Sequence, residues 1–297
     1  MYPVPVTYLY QFENCNEEQR RAVMREFAAN GAKHLALTDT LISDMLKKNM
    51  LIDQYLKEVK EEGLSYLDAH AMFSPDMDLN CPNQAKRGMM LARHKLQLEI
   101  LAYMGIETFT IHVGNNLQYE PMEKLMEFNC NMICEALAEL LPLAEKLGII
   151  INIENIWFPT NTPEFLLKIK ENFPTDHLGF CYDAGHANLM KNGKLYTESN
   201  PHIVWKQIGM DPQWDDEILQ KMLPHVVSCH IHDNIGQYDY HQNIGNGNIN
   251  WQEIAGLLKQ APRLKVIQSE VLPFHAKVSI RELCESFQKL FPETNGL

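Results

Sequence analysis

Glu154, Asp183, His230 and Glu270 each stand at or near the end of a short apolar run with strand-like character. The runs cover residues 149–155, 178–184, 226–233 and 266–272. Set side by side, four such strand ends would gather two glutamates, one aspartate and one histidine at one point. That donor set suits a divalent cation. It also leaves two carboxylates able to move protons on a bound substrate. One strand-end glutamate taken alone would serve a structural ion pair as readily; four ligand-type residues in four such places point to a metal-dependent enzyme.

Four more runs, residues 4–12, 34–39, 65–72 and 108–114, bring the strand-like segments to eight. Segments with helical periodicity lie between them, at 16–29, 41–61, 84–104, 123–147, 163–171, 251–259 and 278–290. Gly31, Gly63, Gly105 and Gly148 fall just past helices, where a left-handed cap is wanted. Strand and helix alternating eight times predicts a single (β/α)8 TIM barrel, one α/β domain over residues 1–297.

Side chains alternate along a strand, so parity sorts them into two faces. Ile151 and Ile153 share one face, Asn152 and Glu154 the other. The same split sets Ser228, His230 and His232 against Val227, Cys229 and Ile231, and groups Gln268 with Glu270. It also groups Thr108 and Thr110 with His112, and Asp68 with His70, and leaves Phe109 facing outward as core. A lumen with polar upper layers follows, with the active site at the C-terminal strand ends. Parity does not choose between His230 and His232. One segment breaks the rhythm: the chain between His186 and His225, with Tyr196, Trp205 and Trp214, is too long for one helix and its loop. This extended segment between strands six and seven reads as a lid, an oligomer contact or an added outer helix.

The chain has 297 residues, 45% of them apolar, and a formal net charge of −12, which argues against a broad nucleic-acid-binding surface. No run of 18 apolar residues suggests a membrane span, and residues 1–11 lack signal-peptide features. Seven scattered cysteines without a Cys-x-x-Cys pair fit neither a disulfide scaffold nor a cysteine zinc site, and suggest a reduced, cytoplasmic setting.

The segments Asn152-Ile-Glu154-Asn155, Cys181-Tyr-Asp183-Ala-Gly-His186, His230-Ile-His-Asp233-Asn234 and Gln268-Ser-Glu270 resemble those of the xylose-isomerase-like barrels. That superfamily includes sugar and sugar-phosphate isomerases and epimerases, inosose-type dehydratases and type IV apurinic endonucleases. The resemblance implies one divalent metal ion (Mn, Mg, Co or Zn) held by Glu154, Asp183, His230 and Glu270, with His230 matching the family's His-x-x-Asp pattern. It further implies a small carbohydrate substrate, with Glu154 and Glu270 as catalytic acid and base on opposite faces of a ketose and an enediolate between them. Inosose-type dehydration would begin with the same proton abstraction. His186 resembles a family histidine that contacts a substrate hydroxyl or a second metal, and could instead orient Asp183. His70, His112, His232, His241 and Trp157 are then candidates for substrate contact. Dimers and tetramers are common in the family, so a homo-oligomer is compatible.

With His70, His112, His186 and Asp239-x-His241 added to the first four, nine ligand-type residues accumulate. Type IV endonucleases resemble this arrangement and hold three zinc ions, so a trinuclear phosphodiesterase is the competing reading. Against it, residues 71–81 and Val113-Gly-Asn115 differ from that family's loops, and few Lys or Arg occur in the βα segments. A third reading, a non-catalytic sugar-binding barrel, would be favoured by loss of a core ligand, and none is lost. Gly245-Asn-Gly247 could cradle a phosphate on backbone amides or form a plain turn.

Overall fold

Eight parallel strands close on themselves in chain order, β8 pairing with β1. They are β1 (Val6–Tyr8), β2 (His34–Leu37), β3 (Ser65–His70), β4 (Thr108–Ile111), β5 (Ile150–Glu154), β6 (Leu178–Asp183), β7 (Val226–Ile231) and β8 (Val266–Ser269). The protein is described by a computed structural model over residues 3–115 and 122–297. Helices return the chain between strands, making the expected (β/α)8 TIM barrel. Among the described residues, no helix is long and apolar enough to cross a membrane.

Side chains alternate as expected along most of the strands; Val227 is the exception, because a register shift between β6 and β7 interrupts the alternation there. Ile151, Ile153, Cys229, Ile231, Ile267 and Phe109 are buried in the apolar layer between strands and helices. Register pairs the lumenal residues in rings: Thr7 with Gln268, Asp68 with Thr108, His70 with Thr110, and Asp183 with His230. The barrel interior is therefore polar and buried, and such groups must find partners or a ligand.

Three expectations change in detail. Residues 41–61 form two helices, Asp39–Lys47 and Met50–Glu61, because Lys48 adopts an extended backbone that ends the first. The strands are shorter than the apolar runs that announced them, since pairing stops where the chain turns into each loop. The segment between β6 and β7 holds three helices, Ala184–Asn192, Asn200–Gln207 and Ile218–Met222. Its Trp205 is only 1% exposed, so the segment is anchored at this residue in the core.

Candidate metal centre

Glu154, Asp183, His230 and Glu270 converge as the strand ends predict, each offering an atom within 4.8 Å of the others. His230 Nδ1 lies 3.3 Å from Glu154 Oε1, 3.7 Å from Asp183 Oδ2 and 3.1 Å from Glu270 Oε1. Burial alone would lower the His230 imidazole; Cys181, Glu270 and Glu154 outweigh it and hold it well above its ordinary value. Burial would likewise raise Glu154, yet His230, His112 and His186 pull it well below the carboxylate range. These opposed shifts mark a set of buried anions that calls for positive charge. Asp183 is also fixed by its neighbours: its backbone N–H donates to Asn155 Oδ1 and its carbonyl accepts from Asn155 Nδ2.

His230 and His232, which parity left together, separate in space. His230 faces the three carboxylates. His232 turns to Asp183 and His241, with Nε2 3.1 Å from Asp183 Oδ2 and its ring stacked on His241 at 4.0 Å. Gly185 permits this placement, because a Cβ there would collide with the His232 ring.

The other predicted histidines surround the core. His70, His112 and Glu154 form a second group of potential ligands, Asp183, His186 and His232 a third, and His232, His241 and Glu270 a fourth. Three of these imidazoles are pinned alike: His70 Nδ1 donates to the Ala71 carbonyl, His186 Nδ1 to Asn155, and His241 Nδ1 to Glu270. A carbonyl only accepts, so Nδ1 carries the hydrogen, and in the neutral ring Nε2 is left with a lone pair. Metal-binding histidines are commonly oriented in this way. His70 Nε2 and His112 Nε2 face each other at 3.2 Å, beside Glu154 Oε2 at 3.7 and 3.2 Å. Glu154 Oε2 and Asp239 Oδ1 are buried without a hydrogen-bond partner among the described residues. These donors fit a divalent cation, and their number exceeds what one ion needs.

Asp239 links the outer groups, 3.4 Å from His186 Nε2 and 2.9 Å from His241 Nε2. Burial would lower His241, but Asp239 raises it to about 9. Asn200, which sequence reasoning passed over, and Trp205, named there only as part of the long segment, hold this region. Asn200 accepts from the Asp239 backbone N–H, while its own N–H donates to the Gln237 carbonyl. Trp205 Nε1 donates to the Trp157 carbonyl at 2.8 Å. The segment between β6 and β7 thus braces two site loops from outside. Its odd length was the available signal; the contacts were not legible.

The two glycines after β7 serve a turn. The Asp233 carboxylate accepts from Gly245 N and Trp251 Nε1, both at 2.8 Å, and from Asn234 N. With Asp233 at its centre, the loop is organised around an internal anion.

A cavity of about 470 Å³ opens beside the cluster. Its wall includes His70, His112, Glu154, His186, His241 and Glu270, together with Trp157, Phe73 and Phe158, and no Lys or Arg among the described residues. Trp157 meets His186 edge-on at 4.9 Å.

A model of the xylose isomerase-like TIM barrel family matches residues 21–271. Among curated relatives, Uncharacterized protein MJ1311 of Methanocaldococcus jannaschii is 26% identical over 248 residues, 81% of this chain and 76% of its own. Probable endonuclease 4 of Protochlamydia amoebophila is 22% identical over 229 residues, 71% of each chain. Among solved structures, a D-tagatose 3-epimerase-like protein superposes with a TM-score of 0.74 at 20% identity, covering 98% of both chains. The IOLI protein with a binding zinc atom follows with a TM-score of 0.67 at 17% identity, covering 96% of both chains. At these identities the structural likeness speaks for the fold.

Proposed function

Because the chain belongs to the xylose isomerase-like TIM barrel family, we propose that it is a divalent-metal-dependent isomerase or epimerase of a small, unphosphorylated carbohydrate, acting as one barrel domain. The observation that carries this reading is the convergence of Glu154 and Glu270 on His230, 3.3 and 3.1 Å from its Nδ1, both lining one cavity. A divalent cation held by Glu154, Asp183, His230 and Glu270 would polarise a substrate carbonyl and acidify the adjacent C–H. Glu154 ends β5 and Glu270 follows β8, so the two carboxylates would approach a bound ketose from different strands. One takes the proton and the other returns one. Trp157 offers an apolar face to the ring, and His70, His112, His186 and His241 offer polar contacts to its hydroxyls; His232, expected to join them, is fully buried against Asp183 and does not line the cavity. Inosose-type dehydration would use the same opening step.

The electrostatics of this face support a neutral substrate. The segments 9–16, 71–83, 112–121, 155–162 and 232–250, which follow five of the strands, contain no Lys or Arg. A sugar phosphate would meet carboxylates with no Lys or Arg from these five segments to offset its charge. The test is solvent-deuterium exchange into free ketoses and their phosphates, using protein purified without chelators. Exchange into a free ketose, lost on chelation, is expected; no exchange into any ketose would contradict the reading.

The outer donors favour a second reading, a trinuclear zinc phosphodiesterase. His70 with His112, and Asp239 with His186 and His241, would complete two further cation sites. Nearly three Zn per chain together with cleavage of an abasic-site oligonucleotide would move the assignment there; close to one Mn, Co or Mg per chain supports the isomerase.

A further inference from the structure

The helix Gln84–Met104 carries an apolar stripe on its outer side as well as the one it buries. Met89, Leu96 and Tyr103 are 49%, 49% and 66% exposed, and they recur every seven residues. Exposed large apolar side chains in a row on one helix face are unusual where nothing covers them. The flanking residues show what would. Relative to Leu96, Met89 and Tyr103 lie seven positions to either side, Ala92 and Ile100 four, and Arg93 and Glu99 three. A two-fold axis through Leu96 would therefore place Leu96 on its own copy and Met89 against Tyr103. The same axis sets small Ala92 against Ile100, and Arg93 against Glu99. Every pair is chemically complementary: thioether on aromatic ring, small on large, cation on anion. Arg93 and Glu99 are both exposed, and neither is in an ion pair among the described residues.

We propose that this face binds a second copy of the chain, the two Gln84–Met104 helices packing antiparallel about Leu96. The helix is about 30 Å long, enough to form the spine of a dimer contact. Its position is independent of the metal centre, so the proposal stands or falls apart from the functional reading. The charge pattern commits the contact to an isologous antiparallel pair; a parallel pairing would bring each charge beside its like.

Sedimentation equilibrium of the full chain over a wide concentration range tests this. The wild type is expected to dimerise, and Leu96→Glu to be monomeric with an unchanged circular dichroism spectrum. Arg93→Glu and Glu99→Arg, each placing like charges opposite, should weaken self-association by at least roughly tenfold. Mixing these two variants should recover association, because each copy then meets the opposite charge at both positions. A wild type monomeric throughout, a dimer indifferent to Leu96→Glu, or two weakened variants that do not associate on mixing would each overturn the proposal.

Discussion

Glu154 and Asp183 close their strands from within the barrel, whereas Asp239 and His241 sit on the long loop after β7, which is held from outside. The inner donors inherit their positions from the hydrogen-bonded register of neighbouring strands, the stiffest part of the fold. Asp239 and His241 depend instead on single contacts: Asn200 accepts from the Asp239 N–H, a bridge joins Asp233 to Gln242, and His241 Nδ1 donates to the Glu270 carbonyl. Two regions of one site are thus built by different means, and perturbation should separate them.

The largest effect is expected at the inner set. Glu154→Gln and Glu270→Gln should each lower solvent exchange into a ketose by about 10²- to 10⁴-fold. Exchange surviving in either variant removes that residue from the acid–base role. The next effect belongs to the brace. Asn200→Ala leaves the inner donors untouched and should weaken any cation held by His186, Asp239 and His241 by about 10- to 100-fold. Calorimetric metal titration separates the two classes; equal weakening of both would erase the distinction drawn here.

The proton balance of the outer set gives a further test. His241 is raised to about 9, against an unfolded value near 6.5. In the metal-free protein its protonated pairing with Asp239 therefore stabilises the fold fully below about 6.5, and that stabilisation is lost as pH rises through about 9. A cation must displace the same proton, so outer-site affinity should climb with pH across this window, by up to about tenfold per unit. Asp239→Asn should flatten the climb. The smallest effect is at Trp205→Phe, which keeps an aromatic ring in the core but removes the donor to Trp157. About 1 kcal/mol of stability is at stake, with KM raised and kcat held; a fall in kcat alone would show that Trp157 does not act through binding.

The same contrast explains what could be read from the chain itself. Period-two alternation fixed the lumenal face of Glu154, His230 and Glu270, because a strand allows only two directions. Along the loop after β7 no such period exists. Asp239 and His241 were visible only as a spacing, and the Asp233 anchor of the two glycines was not visible at all. His230 and His232 share a face, and only the close approach at Gly185 separates their surroundings. The two helices within residues 41–61 merged for a related reason: the apolar period runs through the break, while a single extended residue, Lys48, makes it.

Four side chains from successive strand ends are proposed to grip one cation. Elemental analysis of chelator-free protein tests this most directly, comparing wild type, Asp239→Asn and His230→Gln, the last because His230 belongs to the inner set alone. Expected are at least one Mn, Mg, Co or Zn per wild-type chain, retention of the inner ion in Asp239→Asn, and its loss in a still-folded His230→Gln. Equal metal content in wild type and His230→Gln, or none in wild type under saturating conditions, would contradict it.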